Sequence, residues 1–139
     1  MPGTVDTLLE SNLESVDSAE ALCVDAAKQL GLDEDAGMDL GLAVREAMVN
    51  AVAHGNKYNP SKQVRLILES RPDSVRITII DQGEGFDLNR VPDPTQGENL
   101  MRGSGRGLLL IQTFVDEFTV RKTAAGGAEV TLVKYTIPD

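Results

Sequence analysis

The chain has 139 residues, a formal net charge of -9 at pH 7 and a pI near 4.5, which disfavours binding of a nucleic-acid backbone as its main activity. The length suits one domain, residues 1–139, and the single Cys23 excludes an internal disulfide, so we expect this thiol to be a small buried apolar group. No apolar run reaches the length of a membrane span, and residues 1–7 lack the segments of a signal peptide, so we expect a cytoplasmic protein that does not contact a membrane.

The first part of the chain predicts a strand followed by two helices. Residues 4–13 alternate loosely, as an edge strand does. Asp17 followed by Glu20 has the spacing of a capping box, and apolar residues then recur at helical intervals up to the next glycine. Asp33 is predicted to cap a second helix, which ends near Gly55.

The second predicted helix carries a row of polar side chains. Glu46, Asn50 and His54 are spaced four residues apart, so a helix stacks them along one side. The spacing alone leaves two alternatives open, a solvated helix face and a chemical site. His54 stands beside the predicted helix end, where a side chain caps carbonyl groups, and we rank it below the other two as a chemical group.

A predicted hairpin leads to an acidic residue at the edge of the core. Residues 64–70 and 75–79 alternate as two strands joined by the turn sequence RPDS. Continued alternation places Asp81 on the core side of the second strand. Because burial of an unpaired charge costs roughly several kcal/mol, Asp81 is expected either to meet hydrogen-bond donors or to lie beyond the edge of the core.

Two glycines follow this carboxylate in the sequence DQGEGF. Gly83 and Gly85 permit backbone conformations that other residues avoid, and they allow a flat ligand to approach the main chain. Asp81 beside them is suited to accept a hydrogen bond from an exocyclic amine. Adenine has such an amine, whereas guanine has a keto oxygen at that place. An acidic turn after a strand is the alternative interpretation of this motif taken alone.

The last part of the chain predicts a lid, a helix and two strands. Residues 86–104 combine prolines and glycines with few apolar repeats, as a long lid loop does. The sequence GSGRG at residues 103–107 precedes a short predicted helix from Leu108, an arrangement in which backbone N–H groups hold phosphate oxygens. Glu117–Lys122 and Ala128–Tyr135 predict strands. The whole pattern predicts an α+β fold, a two-layer sandwich with a mixed, mostly antiparallel sheet and helices on one face.

Three motifs in this order, EAMVNAVAHG, DQGEGF and GSGRGL, resemble the N, G1 and G2 boxes of the GHKL ATPase superfamily, which has the ATP-binding fold of histidine kinases. The compact length, the HG dipeptide and the ending GGAEVTLVKY most resemble the bacterial anti-sigma-factor serine/threonine kinases. The resemblance covers Gly41 to Val133. It implies an ATP-dependent kinase that phosphorylates an anti-anti-sigma-factor-like protein and binds a sigma factor.

The resemblance also implies roles for individual residues. Glu46 is implied as the general base that accepts the proton of a Ser or Thr hydroxyl. Asn50 is implied as the ligand of a Mg²⁺ ion on the phosphates of ATP or ADP, and Asp81 as the partner of the adenine amine. The other implied nucleotide-binding residues lie in the glycine motifs and at the end of the lid: Gly83, Gly85, Arg102, Gly103, Ser104, Gly105, Arg106 and Gly107.

Two positions depart from the family pattern. Ala128 follows Gly127 where related sequences often have threonine, and Gly103 stands where a basic residue often precedes the Ser-Gly of the lid hinge. Lys57 is equally consistent with a phosphate contact and with a solvated loop charge.

Two alternative functions stay open from the sequence alone. One is a nucleotide-gated protein-binding module with little or no kinase activity, and the other is a detached histidine-kinase ATP domain. We also expect a homodimer and no direct contact with nucleic acid.

Overall fold

The computed structural model describes residues 3–83 and 103–136, with the side chains of residues 103–108 outside that description. The described strands form one five-stranded sheet in the order β1-β2-β3-β5-β4, and each neighbouring pair is antiparallel. The elements are β1 (Gly3–Glu10), α1 (Leu13–Gln29), α2 (Glu34–Val49), a π-helical turn (Asn50–Gly55), β2 (Gln63–Arg71), β3 (Ser74–Ile80), α3 (Gly103–Phe114), β4 (Glu117–Lys122) and β5 (Ala128–Tyr135). The predicted α+β class is confirmed, with an antiparallel rather than a mixed sheet among these strands.

The core lies between the three helices and one face of the sheet. Alternate residues of β2 and β3 point into it, and the register sets Leu66 opposite Ile79 and Leu68 opposite Ile77. The helices contribute buried residues to the same cluster, among them Val16, Leu40 and Ile111. The edge strand predicted over residues 4–13 is confirmed as β1, which ends earlier, at Glu10, and among the described strands pairs with β2 only.

Helix α1 begins earlier than predicted, and the capping box assigned to Asp17 is wrong. The side chain of Asn12 caps the helix by accepting a hydrogen bond of 2.9 Å from the backbone N–H of Ser15. Asp17 and Glu20 instead accept hydrogen bonds of 2.7 and 2.9 Å from the Arg45 guanidinium. The acidic pair therefore joins α1 to α2 and does not start α1.

Helix α2 begins as predicted, with Asp33 accepting a 2.7 Å hydrogen bond from the N–H of Ala36. Gly41 has a packing reason, since a Cβ there would lie 2.7 Å from a methyl group of Val24 on α1. Gly37 differs, because it is buried and yet a Cβ added to it would meet no atom within 4 Å. A side chain at residue 41 would therefore force Val24 to shift, whereas one at residue 37 would displace no neighbouring atom.

The end of the second helix changes its hydrogen-bonding pattern. After Val49 the chain continues as a π-helical turn, in which the N–H of Asn56 donates to the carbonyl of Ala51 at 2.8 Å. π-Helical turns of this kind are frequent at functional sites. The predicted row of side chains four residues apart is therefore altered from Asn50 onward.

Helix α3 begins at Gly103 and not at Leu108 as predicted, so the GSGRG sequence has helical backbone. Glycines usually indicate loops because they lower helix propensity, but this effect does not exclude them from a first helical turn. Residues 86–102 of the predicted lid lie outside the described residues, and its last two residues belong to α3.

Cys23 lies fully buried within the core, as predicted. Burial raises the pKa of this thiol to about 12, so the unreactive protonated form prevails at neutral pH. Within residues 3–83 and 103–136, no helix has both the length and the apolar character needed to cross a membrane.

Candidate functional site

A pocket lies between the π-helical turn, α3 and the adjacent ends of β3 and β5. Its lining is mainly small or apolar, and three polar side chains interrupt it. The lining residues are Ala47, Asn50, Ala51, His54, Gly55, Ile79, Asp81, Ile111, Phe118, Ala128 and Val130. Such a pocket, apolar with few polar groups, is typical of a small-molecule site.

The π-helical turn explains which residues of the second helix line the pocket. A π-helix pairs residue i with residue i+5, so residues four and five positions apart share a side. Asn50, His54 and Gly55 accordingly all contribute to the lining. Glu46 is half-buried on α2, one helical turn before Asn50, and is not part of the lining among the described residues.

Asp81 meets the hydrogen-bond donors that its position in the sequence requires. Its side chain is buried, and Oδ1 accepts hydrogen bonds from the N–H groups of Gly83 at 3.0 Å and Ala128 at 3.1 Å. The backbone N–H of Asp81 in turn donates to the carbonyl of Ala128 at 3.0 Å. Among the described groups, which exclude the side chains of residues 103–108, Oδ2 accepts no hydrogen bond.

The environment of this carboxylate disfavours its charge. Burial raises the pKa of Asp81, while the N–H groups of Ala128 and Gly83 and the charge of Lys62 act in the opposite direction and offset only part of the effect. A further donor to Oδ2 would favour the ionised form. The pocket is therefore suited to a ligand that brings an N–H group to Asp81.

Three glycines hold the backbone tightly around Asp81. A Cβ at Gly55 would overlap the Asp81 carboxylate, one at Gly83 would overlap the carbonyl of Gly55, and one at Gly127 would overlap the Asp81 carbonyl. From the sequence, Gly55 had only the role of ending a helix, and Gly127 had no structural role. Since both glycines come from elements remote in sequence from Asp81, only the fold reveals this requirement.

We expect Gly83→Ala to disrupt the pocket, because the added methyl group would meet backbone atoms that have no room to move. The expected loss is at least ~1–3 kcal/mol of unfolding free energy, together with weaker ligand binding. Urea unfolding measures the first effect. Gly3→Ala is the matched control, since a Cβ there meets nothing within 4 Å. Equal stability of the two variants would contradict the assigned close packing.

Asn56 is a buried residue whose role was not apparent from the sequence. Its Oδ1 accepts a 2.8 Å hydrogen bond from the N–H of Gln82, the residue after Asp81. Its Nδ2 donates to Ser11 Oγ at 2.9 Å and to the carbonyl of Gln63 at 3.1 Å. Asn56 thus ties the end of the π-helical turn to the segment that carries Asp81. In the sequence, this role is signalled only by an asparagine directly after Gly55.

The glycine motif occupies the start of α3. The first N–H groups of a helix have no acceptor within the helix, so this end of α3 offers donors to an anion. Ile111 of α3 lines the pocket two helical turns after the first residue of the helix, so the glycine motif begins the same helix that contributes to the pocket. The motif residues are Gly103, Ser104, Gly105, Arg106 and Gly107, whereas the predicted Gly85 and Arg102 lie outside the described residues.

The pocket suits a metal ion that arrives together with a ligand. No group of three or more His, Cys, Asp or Glu side chains able to hold a metal occurs in the described part of the chain. Asn50 provides an amide in the pocket lining. Mg²⁺ commonly keeps several waters and binds few protein groups besides phosphate oxygens, so one amide oxygen is compatible with such a site.

Comparisons of the sequence with known proteins identify relatives. Residues 9–134 match the family described as the histidine kinase-like ATPase domain. The chain is 36% identical over 104 residues to the serine-protein kinase RsbW of Staphylococcus epidermidis, an alignment that covers 70% of this chain and 64% of that relative. It is 30% identical over 115 residues to the RsbW of Oceanobacillus iheyensis, covering 78% and 72%. The chain therefore spans just under two thirds of the length of the staphylococcal relative.

Solved structures share the fold. The RsbU and RsbW domains of a Mycobacterium tuberculosis protein match with a TM-score of 0.63 at 21% identity, over 98% of this chain and 33% of that chain. The mycobacterial sensor histidine kinase MprB matches with a TM-score of 0.58 at 19% identity, over 99% of this chain and 100% of that chain. The superfamily resemblance and the fold predicted from the three motifs are confirmed.

Proposed function

Because this chain belongs to the histidine kinase-like ATPase family, we propose that it is an ATP- and Mg²⁺-dependent serine/threonine protein kinase. In this proposal it phosphorylates an anti-anti-sigma-factor-like protein and binds a sigma factor. The single observation that supports nucleotide binding most strongly is the buried Asp81 in an apolar pocket, with Oδ1 saturated by backbone donors and Oδ2 accepting no hydrogen bond among the described groups. The names of the curated relatives, serine-protein kinases, support the choice of reaction.

The proposed base site uses the apolar lining and Asp81 together. Side chains such as Ile79, Ala128 and Val130 offer apolar surface to a flat ring, while Oδ2 of Asp81 accepts the exocyclic amine of adenine. Guanine places a keto oxygen where adenine has its amine, and two acceptors facing each other in a buried site are unfavourable. The pocket is therefore expected to select adenine.

The proposed phosphate site adjoins the base site. The free N–H groups at the start of α3 and the positive end of the helix dipole favour phosphate oxygens, and Asn50 supplies an amide oxygen to Mg²⁺. Arg106 is the basic residue of this segment within α3. Gly85, Arg102 and the lid keep their predicted roles as part of this proposal.

Glu46 is proposed to handle the proton of the reaction. ATP supplies the phosphoryl group. The Glu46 carboxylate accepts the proton of the substrate hydroxyl as its oxygen bonds to the γ-phosphorus, and the bond from that phosphorus to the departing ADP oxygen breaks. Glu46 lies about 6 Å along the helix axis from Asn50, so the proposed base and metal ligand project from consecutive turns.

A nucleotide-gated binding module is the second candidate function. One observation favours it, namely that Glu46 is not among the described residues that line the pocket. This candidate uses the same nucleotide site and differs only in whether phosphate is transferred. The homodimer stays a prediction.

We expect ATP or ADP with Mg²⁺ to raise the melting temperature, because a ligand that binds only the native state stabilises it by about 2.7 kcal/mol at a hundred times its Kd. GTP should raise the melting temperature much less, since guanine has a keto oxygen where adenine has the amine that donates a hydrogen bond to Asp81. Differential scanning fluorimetry measures both shifts. An equal response to GTP would contradict the role of Asp81, and no response to any nucleotide would contradict the proposed function.

A further inference from the structure

A second concave surface is separate from the nucleotide pocket. It is a groove between the C-terminal half of α1 and the first turns of α2, with an open volume of about 520 Å³. We call it the α1–α2 groove. Its lining residues are Val24, Lys28, Leu32, Asp33, Glu34, Gly37 and Met38, and none of these lines the nucleotide pocket.

The floor of the α1–α2 groove exists because residue 37 has no side chain. Gly37 is buried within α2, yet a Cβ there would meet nothing within 4 Å. A glycine inside a helix costs roughly 0.5–1 kcal/mol relative to alanine. The fold of this chain gains no close contact in return, in contrast to Gly41, where an added Cβ would lie 2.7 Å from a Val24 methyl group. The space above Gly37 is thus open to a group from another molecule.

Large apolar side chains stand exposed along this surface. Met38 is 58% exposed, and Leu42, one helical turn later, is 41% exposed. They continue the apolar lining formed by Val24 and Leu32. Exposed apolar side chains arranged next to a groove are typical of a protein-binding surface, and methionine adapts readily to a partner.

The charges around the groove are predominantly negative. The lining carries two acidic side chains, Asp33 and Glu34, both exposed, and one basic side chain, Lys28. Three more carboxylates, Asp25, Asp35 and Asp39, belong to the same two helices. An apolar groove with an acidic rim is complementary to a helix with one apolar face and basic flanks.

We propose that the α1–α2 groove docks an amphipathic helix of a partner protein, with an apolar side chain over Gly37 and Lys or Arg side chains against the acidic rim. This binding mode is that of a helix in a groove, anchored at residues three or four positions apart. It is separate from the nucleotide site and does not depend on the proposed kinase activity.

The test uses two synthetic helical peptides that share a leucine face and differ in their flanks, one lysine-rich and one glutamate-rich. We expect the lysine peptide to bind the full chain at least tenfold more tightly than the glutamate peptide, and more weakly at high salt. Methyl NMR should show a shift of the Met38 resonance and none of Met48, which is fully buried. Equal binding of the two peptides, or binding that leaves Met38 unshifted, would overturn the proposal.

Substitutions at residue 37 provide the matched pair. Gly37→Leu should fill the groove, keep or raise the melting temperature and weaken lysine-peptide binding at least tenfold, whereas Gly37→Ala should stabilise the chain and largely retain binding. Met38→Lys serves as a second variant on an exposed residue in case Gly37→Leu folds poorly, and it should weaken lysine-peptide binding and reduce the preference for that peptide, because it removes an apolar contact and adds a like charge. Unchanged peptide binding in both Gly37→Leu and Met38→Lys would refute the groove as the docking site.

Two further readouts test the independence of the groove from the nucleotide site and the identity of its occupant. The ATP-induced rise in melting temperature should be unchanged in the Gly37→Leu variant, so a failure of peptide binding and a failure of the proposed function are distinguishable. Sedimentation velocity of the parent chain and of Gly37→Leu tests a second copy as the occupant. Loss of a dimer in Gly37→Leu would assign the groove to self-association and overturn the helical partner.

Discussion

The Glu46→Gln variant should bind ATP as the parent chain does and lose phosphoryl transfer by about 10²–10⁴-fold, the usual contribution of a positioned general base. Glutamine preserves the size and polarity of this half-buried side chain but cannot accept the hydroxyl proton. Transfer of radiolabelled phosphate from ATP to an anti-anti-sigma-factor-like substrate measures the reaction, and the ATP-induced shift in melting temperature measures binding.

Glu14→Gln provides the matched control for this experiment, since Glu14 is an exposed glutamate in the first turn of α1. It should leave both binding and transfer unchanged. Undiminished transfer in Glu46→Gln would remove Glu46 from its proposed role. If the parent chain binds ATP and transfers no phosphate to any such substrate, the nucleotide-gated binding module becomes the preferred function.

The Asp81→Asn variant should bind ATP about 10–100-fold more weakly, a cost of ~1–3 kcal/mol for an unmatched buried polar group. The asparagine oxygen can still accept the N–H groups of Gly83 and Ala128, which leaves its amide N–H₂ where Oδ2 stood. This amide then faces the adenine amine donor against donor. The keto oxygen of guanine becomes the better partner, so the ratio of ATP to GTP affinity should fall. Isothermal titration calorimetry with both nucleotides measures that ratio.

Asp73→Asn on the β2–β3 turn is the matched control, because Asp73 is exposed and remote from the pocket lining. An unchanged ATP to GTP ratio in Asp81→Asn would contradict the recognition of the amine by Asp81.

The pH dependence of the unfolding free energy, measured without ligand, gives a second test of the environment of Asp81. Burial raises the folded-state pKa of Asp81 above its ordinary value of 3.8, so within the interval between the two values the native state holds a proton that the unfolded state has released. The free energy of unfolding therefore falls as pH rises through this interval. Asp81→Asn should remove this part of the pH dependence, because asparagine does not titrate there.

Strands were predictable because alternation is a local property of the sequence. The bounds of β4 and β5 match their predictions, and the alternation of β3 correctly placed Asp81 on the core side. In each case the apolar face was continuous and a turn sequence marked the ends. The same reasoning identified Asp33 as a helix cap, since the cap and its N–H donor are three residues apart.

Features that depend on long-range contact were not predictable in this way. The π-helical turn places Gly55 against Asp81, and Asn56 forms hydrogen bonds with residues up to 45 positions away. The prediction that Asp17 caps α1 was wrong, because its carboxylate accepts a hydrogen bond from Arg45, 28 residues away. The requirement for glycine at residue 127 likewise arises only when β5 lies beside the end of β3.

The hydrogen bond from the Gln82 N–H to Asn56 has a consequence for local motions. The acceptor is almost fully buried, so the Gln82 amide exchanges its hydrogen with solvent only when this link opens, although the Gln82 side chain itself is exposed. Opening there also releases the segment that carries Asp81. The exchange rate of one surface residue therefore reports the fraction of molecules in which the base site is intact, with no nucleotide present.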